Sequence, residues 1–391
     1  MIMKQVKQIL IAALALFITA CGSSTKDTDF FGPEEKPVKP KVSSTNVVSQ
    51  NWRLNVGSGS VEGGFAISPA LLGANIYAAS TDGRIVKVAA DSGKVVWSQK
   101  LKGLRITAGV GVGGGLVLVG TGDGEIVALN QSDGAVSWRV ALSSEILASP
   151  AIDSEVVVAR TGDGRVYGLS PYDGETIWTI SRELPRLTLR GDSEPLLFQG
   201  LVVAGFADGT LAAVEAKTGR ALWDFPISFP RGTNEIDQLS DIDTKPLLVG
   251  NVIYVSSYQE ITHALDISAQ RIAWSSDVSS FHPIAYDSAY LYLSDKFGLI
   301  HQVDRRTGRK VWSQEGLRLY QTSAPIAIGP YVLVGDGDGQ LYVLQKTNGG
   351  FVGRQGLGAK TLIGEPIIDG DSVYFMDSDG SLRSIRVTTR G

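Results

Sequence analysis

The sequence predicts an all-β fold, an eight-bladed β-propeller of four-stranded antiparallel blades whose ring is closed by the N-terminal strand. Three observations predict it. Turn glycines recur about every 40 residues along most of the chain. A tryptophan follows most of them 14 residues later. One further tryptophan, Trp52, stands ahead of the first unit, while the last unit ends before a tryptophan strand of its own.

The unit is clearest at its third copy. Ala148-Ser-Pro-Ala-Ile, Val156-Val-Val-Ala-Arg, Arg165-Val-Tyr-Gly-Leu and Thr176-Ile-Trp-Thr-Ile read as four short strands, with Thr161-Gly-Asp-Gly and Asp173-Gly174 between them as turns. The first turn slot holds Gly83, Gly124, Gly164, Gly209, Gly298, Gly339 and Gly380, with Glu260 in fifth place. The tryptophan slot holds Trp97, Trp138, Trp178, Trp223, Trp274 and Trp312, with Gly353 in seventh place. A second glycine lies four residues before the tryptophan slot in most units, as at Gly93 and Gly134. Four strands per unit of about 40 residues define a propeller blade. The glycines fit turns that require positive φ, which other residues adopt at a steric cost. Tryptophans in one register across the repeat are packing residues, wedged between neighbouring blades. Trp52, in Asn51-Trp-Arg-Leu-Asn-Val, then supplies the outer strand that the eighth unit lacks, which removes an exposed edge.

Composition agrees with a large core and narrows the partners. Hydrophobic residues make up 43% and charged residues 19% of the 391 residues. The body carries no basic run, which argues against a nucleic-acid partner. A single cysteine excludes an intrachain disulfide.

That cysteine ends a leader. Residues 1–20 carry Lys4 and Lys7, then ten residues (9–18) without a polar side chain. A run this short does not span a bilayer core, which takes about 20 residues, and reads as a signal peptide. Residues 21–46, with Pro33, Pro37 and Pro40 among charges, read as a disordered tether. The propeller is expected over residues 47–391.

Ile18-Thr-Ala-Cys21 resembles the lipobox of bacterial lipoproteins, which implies cleavage before Cys21, acylation of that residue and a stable membrane anchor. Gly22 after it implies sorting to the outer membrane. The repeats resemble the PQQ-like (quinoprotein) propeller unit, DGxVYALDxxTGxxxW, over residues 47–391. Two connections between a tryptophan and the next opening proline are long: 17 residues from Trp178 to Pro195 and 23 from Trp223 to Pro246, against 12–13 in most units. With the lipobox and eight units, these loops resemble the BamB family, lipoprotein subunits of the outer-membrane β-barrel assembly machinery. The resemblance implies a non-enzymatic scaffold facing the periplasm that binds a BamA-like barrel-assembly subunit. It places the contact at Leu187, Leu189 and Arg190 of the first loop and Asp241 and Asp243 of the second. Pairing of Arg190 with Asp241 or Asp243 within the chain stays open, as does direct contact with unfolded barrel clients.

Chemistry was weighed against this. A quinoprotein dehydrogenase needs a cofactor clamp, a Ca²⁺ site and a catalytic Asp. The acidic turns Asp336-Gly-Asp338-Gly and Asp377-Ser-Asp379-Gly have Thr347 and Thr388 where a calcium loop needs a twelfth-position Glu, so they read as turns. His263, His282 and His301 lack metal-ligand spacing. No catalytic residue, cofactor, metal or small-molecule substrate is expected. The other readings are a lipid-anchored PQQ-dependent dehydrogenase and a propeller serving polysaccharide or a different envelope complex.

Overall fold

The computed structural model describes residues 38–59, 67–185, 188, 193–228, 241–242, 244–257, 261–280, 282–358 and 361–388. They form eight four-stranded antiparallel sheets. Blade one shows the common build: Ala70–Leu72 innermost, then Asn75–Ala79, Arg84–Ala89 and, outermost, Val95–Lys100. The chain steps outward through each blade and returns to the inner strand of the next. Antiparallel order puts the inter-blade connections on the same face of the ring as the turn between second and third strands.

The middle strands are buried on both sides, so they read as unbroken apolar runs such as Leu116-Val-Leu-Val. Their alternation divides them between two neighbours. Tyr77 and Ala79 of blade one pack with Val117, Val119 and Val127 of blade two. Ile76 and Ala78 pack the other way, with Tyr374, Met376 and Leu382 of blade eight. Eight such inter-blade clusters complete the circle.

Each tryptophan is an inter-blade clasp. The indole N–H of Trp97 donates to Gln131 O (3.1 Å), that of Trp178 to Ala216 O (2.7 Å) and that of Trp312 to Lys346 O (2.9 Å), always in the turn after the third strand of the following blade. The same turn holds the second glycine. A Cβ at Gly134 would stand 2.7 Å from the Trp97 ring, so only glycine admits the indole. In blade five Gln270 takes this place with φ 48°.

Blade eight contributes Leu362–Asp369, Ser372–Asp377 and Ser381–Val387, and its outer strand is Val48–Asn55 from the N-terminus, as expected. Trp52 fills the eighth slot, donating to Ala90 O (3.0 Å) over Gly93 of blade one. Arg383, 1% exposed, rivets the closure. It donates to Asp377 (2.6 Å), to Leu357 O (2.6 Å) and to Gln50 of the N-terminal strand (3.2 Å).

The boundary set at residue 46 moves back to 38. Lys39 bonds Asp336 (2.5 Å) and Asp338 (2.6 Å) of blade seven and lies over the Tyr320 ring. Burial works against its ammonium, but the hydrogen bonds to the two aspartates outweigh it and raise the pKa to about 12. Ser43 O and Thr45 N bond the backbone of Arg354. A tether composed of prolines and charges thus ends early, because Lys39 and Thr45 have complements on blade seven.

Candidate partner-binding face

The two long connections start from the outer strands Thr176–Ser181 and Ala221–Pro226 and return to the inner strands Leu196–Phe198 and Leu247–Val249. Their returning ends, Ser193-Glu194-Pro195 and Thr244-Lys245-Pro246, are stitched together. Ser193 Oγ donates to Thr244 O (3.1 Å), and Arg160 from blade three donates to Ser193 O (3.2 Å). Thr244 Oγ donates to Ser256 O and accepts from Ser256 N. Ile242, fully buried, packs over Gly205, where a Cβ would approach its methyl to 2.5 Å. The returning ends of both loops are therefore held side by side on one face.

An ion triad completes the joint. Lys245 Nζ lies 3.0 Å from Glu194 and 2.8 Å from Glu365, which reaches across the channel from blade eight. Ser149 Oγ donates to Glu194, and Glu365 N donates to Ser68 Oγ (2.9 Å). Burial opposes the Lys245 charge, yet the two carboxylates overcome it and hold its pKa above the ordinary lysine range. Ser68, Ser149, Glu194, Lys245 and Glu365 each precede an opening proline. One position of the repeat, the residue before the opening proline, thus lines the channel. Beside the triad, Leu196, Phe198, Leu247, Leu248, Pro283 and Ile284 wall an apolar cleft of about 310 Å³.

Of the residues expected at the partner contact, Leu187, Leu189, Arg190 and Asp243 lie outside the described residues, as does Cys21. Asp241 is described and is 2% exposed. Its neighbour Ile242 is fully buried as well, so this end of the second loop is packed into the ring.

The polar groups weighed for chemistry are engaged in structure. Asp336 and Asp377 each accept two backbone N–H bonds within their turns, and their second oxygens bind Lys39 and Arg383. His263 bonds Ser275, and His301 bonds Ser313 and Asp295. Among the described residues no three His, Cys, Asp or Glu side chains are grouped to hold a metal.

The described residues thus define an eight-bladed propeller with the ends of its two long loops joined on one face. The family model for "Outer membrane protein assembly factor BamB" matches residues 81–314 and 296–390. A protein of that name from Pseudomonas aeruginosa is 35% identical over 97% of this chain and 98% of its own length. The crystal structure of BamB from Moraxella catarrhalis matches with a TM-score of 0.79 and 27% identity, over 87% of this chain and 99% of that one. The chain belongs to the BamB family. Quinohemoprotein alcohol dehydrogenase from Comamonas testosteroni (TM-score 0.66, 12% identity, 88% and 77% covered) shares the fold alone. The chain is thus a relative of assembly factors, and on that kinship it is not an enzyme.

Proposed function

We propose that this chain is a scaffold of the outer-membrane β-barrel assembly machinery, anchored by lipid at Cys21 on the periplasmic side of the outer membrane. It binds a BamA-like subunit through the loops after blades three and four and so assists insertion of barrel proteins. Family membership supports the assembly role, and the lipobox sequence supports the anchor. The observation that carries the binding face is the joint between the two loop ends, which brings both ends together on one side of the ring. The family resemblance puts the contact at Leu187, Leu189, Arg190, Asp241 and Asp243; Asp241 is 2% exposed, so it supports the loop from within. An apolar pair rimmed by charge suits a hot spot, and Arg190 offers a bidentate partner for a carboxylate.

A tagged pull-down from detergent-solubilised membranes tests this. Recovery of the barrel-forming subunit is expected, and its absence under conditions that preserve the membrane complex refutes the reading. Intact-mass analysis is expected to show a triacylated chain starting at Cys21; an unmodified thiol there refutes the anchor.

A further inference from the structure

The two loop ends share a feature that the binding role alone does not require. Glu194 closes the first loop and Lys245 closes the second, and each is followed by a proline that fixes the backbone entering the inner strand. Their side chains meet at 3.0 Å, and the same ammonium reaches Glu365 at 2.8 Å. Glu365 belongs to blade eight and is 120 positions away in sequence. It stands in a bulge of the inner strand, where the register shifts between Ile363 and Ile367. Its backbone N–H is held by Ser68 of blade one, and Gly364 is in tight contact with the same serine. The three charges leave a net negative charge. Without the ammonium, two carboxylates that both touch Nζ would face each other within about 6 Å, in the partly screened channel.

From this geometry we infer that Lys245 is a positioning residue for the partner-binding face, pinning the two long loops to each other and to the closing blade through Glu194 and Glu365. The inference rests on the proposed function for its consequence, but the pin itself is a property of the free protein. It acts through the loops and touches no partner. Its reach across the channel means that a change in blade eight alters the loops after blades three and four.

The test uses the full chain with Lys245→Met, Lys245→Arg and Glu365→Gln. Hydrogen exchange is followed at residues 193–198 and 244–249, melting temperature is measured in parallel, and affinity is measured for the periplasmic domains of the BamA-like subunit. Lys245→Met is expected to speed exchange at both loop ends and weaken partner binding about tenfold, with exchange in blades one and two unchanged. Lys245→Arg restores both. Glu365→Gln gives the same pattern at smaller amplitude; it keeps Lys245 and Glu194, and it carries the test should Lys245→Met fail to fold. Exchange at 193–198 unaltered in Lys245→Met or Glu365→Gln overturns the pin. Faster exchange with affinity within twofold of wild type overturns its role at the face. If the wild-type chain does not bind the subunit, the proposed function falls, and the exchange data still decide the pin.

Discussion

Replacing Trp52 by alanine removes the indole clasp that the N-terminal strand contributes between blades eight and one. The indole donates to Ala90 O at 3.0 Å, its ring lies 5.9 Å from that of Tyr374, and it seats on Gly93. A fully buried tryptophan costs about 3–5 kcal/mol when cut to alanine. Trp52 is half-buried, so the expected loss is about 2–4 kcal/mol, the hydrogen bond included. Unfolding entropy near 2.1 cal/mol/K per residue gives about 0.7 kcal/mol/K for the unit Val38–Gly391. The melting temperature should therefore fall by about 3–6 °C. Scanning calorimetry measures this, with two comparisons. Trp178→Ala, at 8% exposure, should cost at least as much. Val96→Ala, 54% exposed on an outer strand, should cost less than about 0.5 kcal/mol. A Trp52→Ala shift no larger than that of Val96→Ala refutes the closure argument.

Asp377→Ala strands the buried Arg383 guanidinium and should cost about 3–5 kcal/mol, read from the midpoint of a denaturant melt. Burial lowers the His282 pKa from 6.5 to about 4, with a backbone bond to Thr322 opposing. The unfolded chain then takes up its proton near pH 6.5 and the folded chain only near pH 4. Stability should fall across that window by about 1–3 kcal/mol as pH drops, and His282→Gln should flatten that part of the profile. Leu189→Ala and Arg190→Ala should each weaken binding to the BamA-like subunit by about 2 kcal/mol, roughly 30-fold, at unchanged melting temperature. Asp241→Ala, at a buried position, should instead lower the melting temperature; calorimetry beside a titration separates the two kinds of site.

The fold was legible because one packing rule is written eight times in one register. Trp and glycine slots recur in every unit at fixed offsets, and each Trp meets the slot of the next unit, so spacing alone reveals them. The loops were legible as excess length between a tryptophan and a proline. Their joint was not. Glu365 and Lys245 meet only because a closed ring brings blade eight across the channel from blade five, and no local pattern encodes that distance. The burial of Ile242 was hidden for a related reason, since it depends on the space over Gly205 in the neighbouring blade. The docking of Lys39 was hidden likewise, since its partner is the second oxygen of a turn aspartate, 0% exposed, on blade seven.

Gly353 and Trp52 express one constraint. A tryptophan in every blade but the seventh rests on the turn joining third and outer strands of the next. Blade eight has no such turn, because its outer strand arrives from the N-terminus. A tryptophan at position 353 would have no turn to rest on. Thr45 crosses there instead, so close that a Cβ at Gly353 would lie 2.3 Å from the threonine Cβ. The departure of the seventh unit from the repeat is therefore required by closure at the eighth. The same seam gathers the joints that the repeat cannot supply: Thr388 N on Val47 O, Arg383 on Gln50, and Lys39 on Asp336. Residues 38–55 thereby replace the covalent turn that every other blade has, and loss of their contacts opens the ring at one defined place.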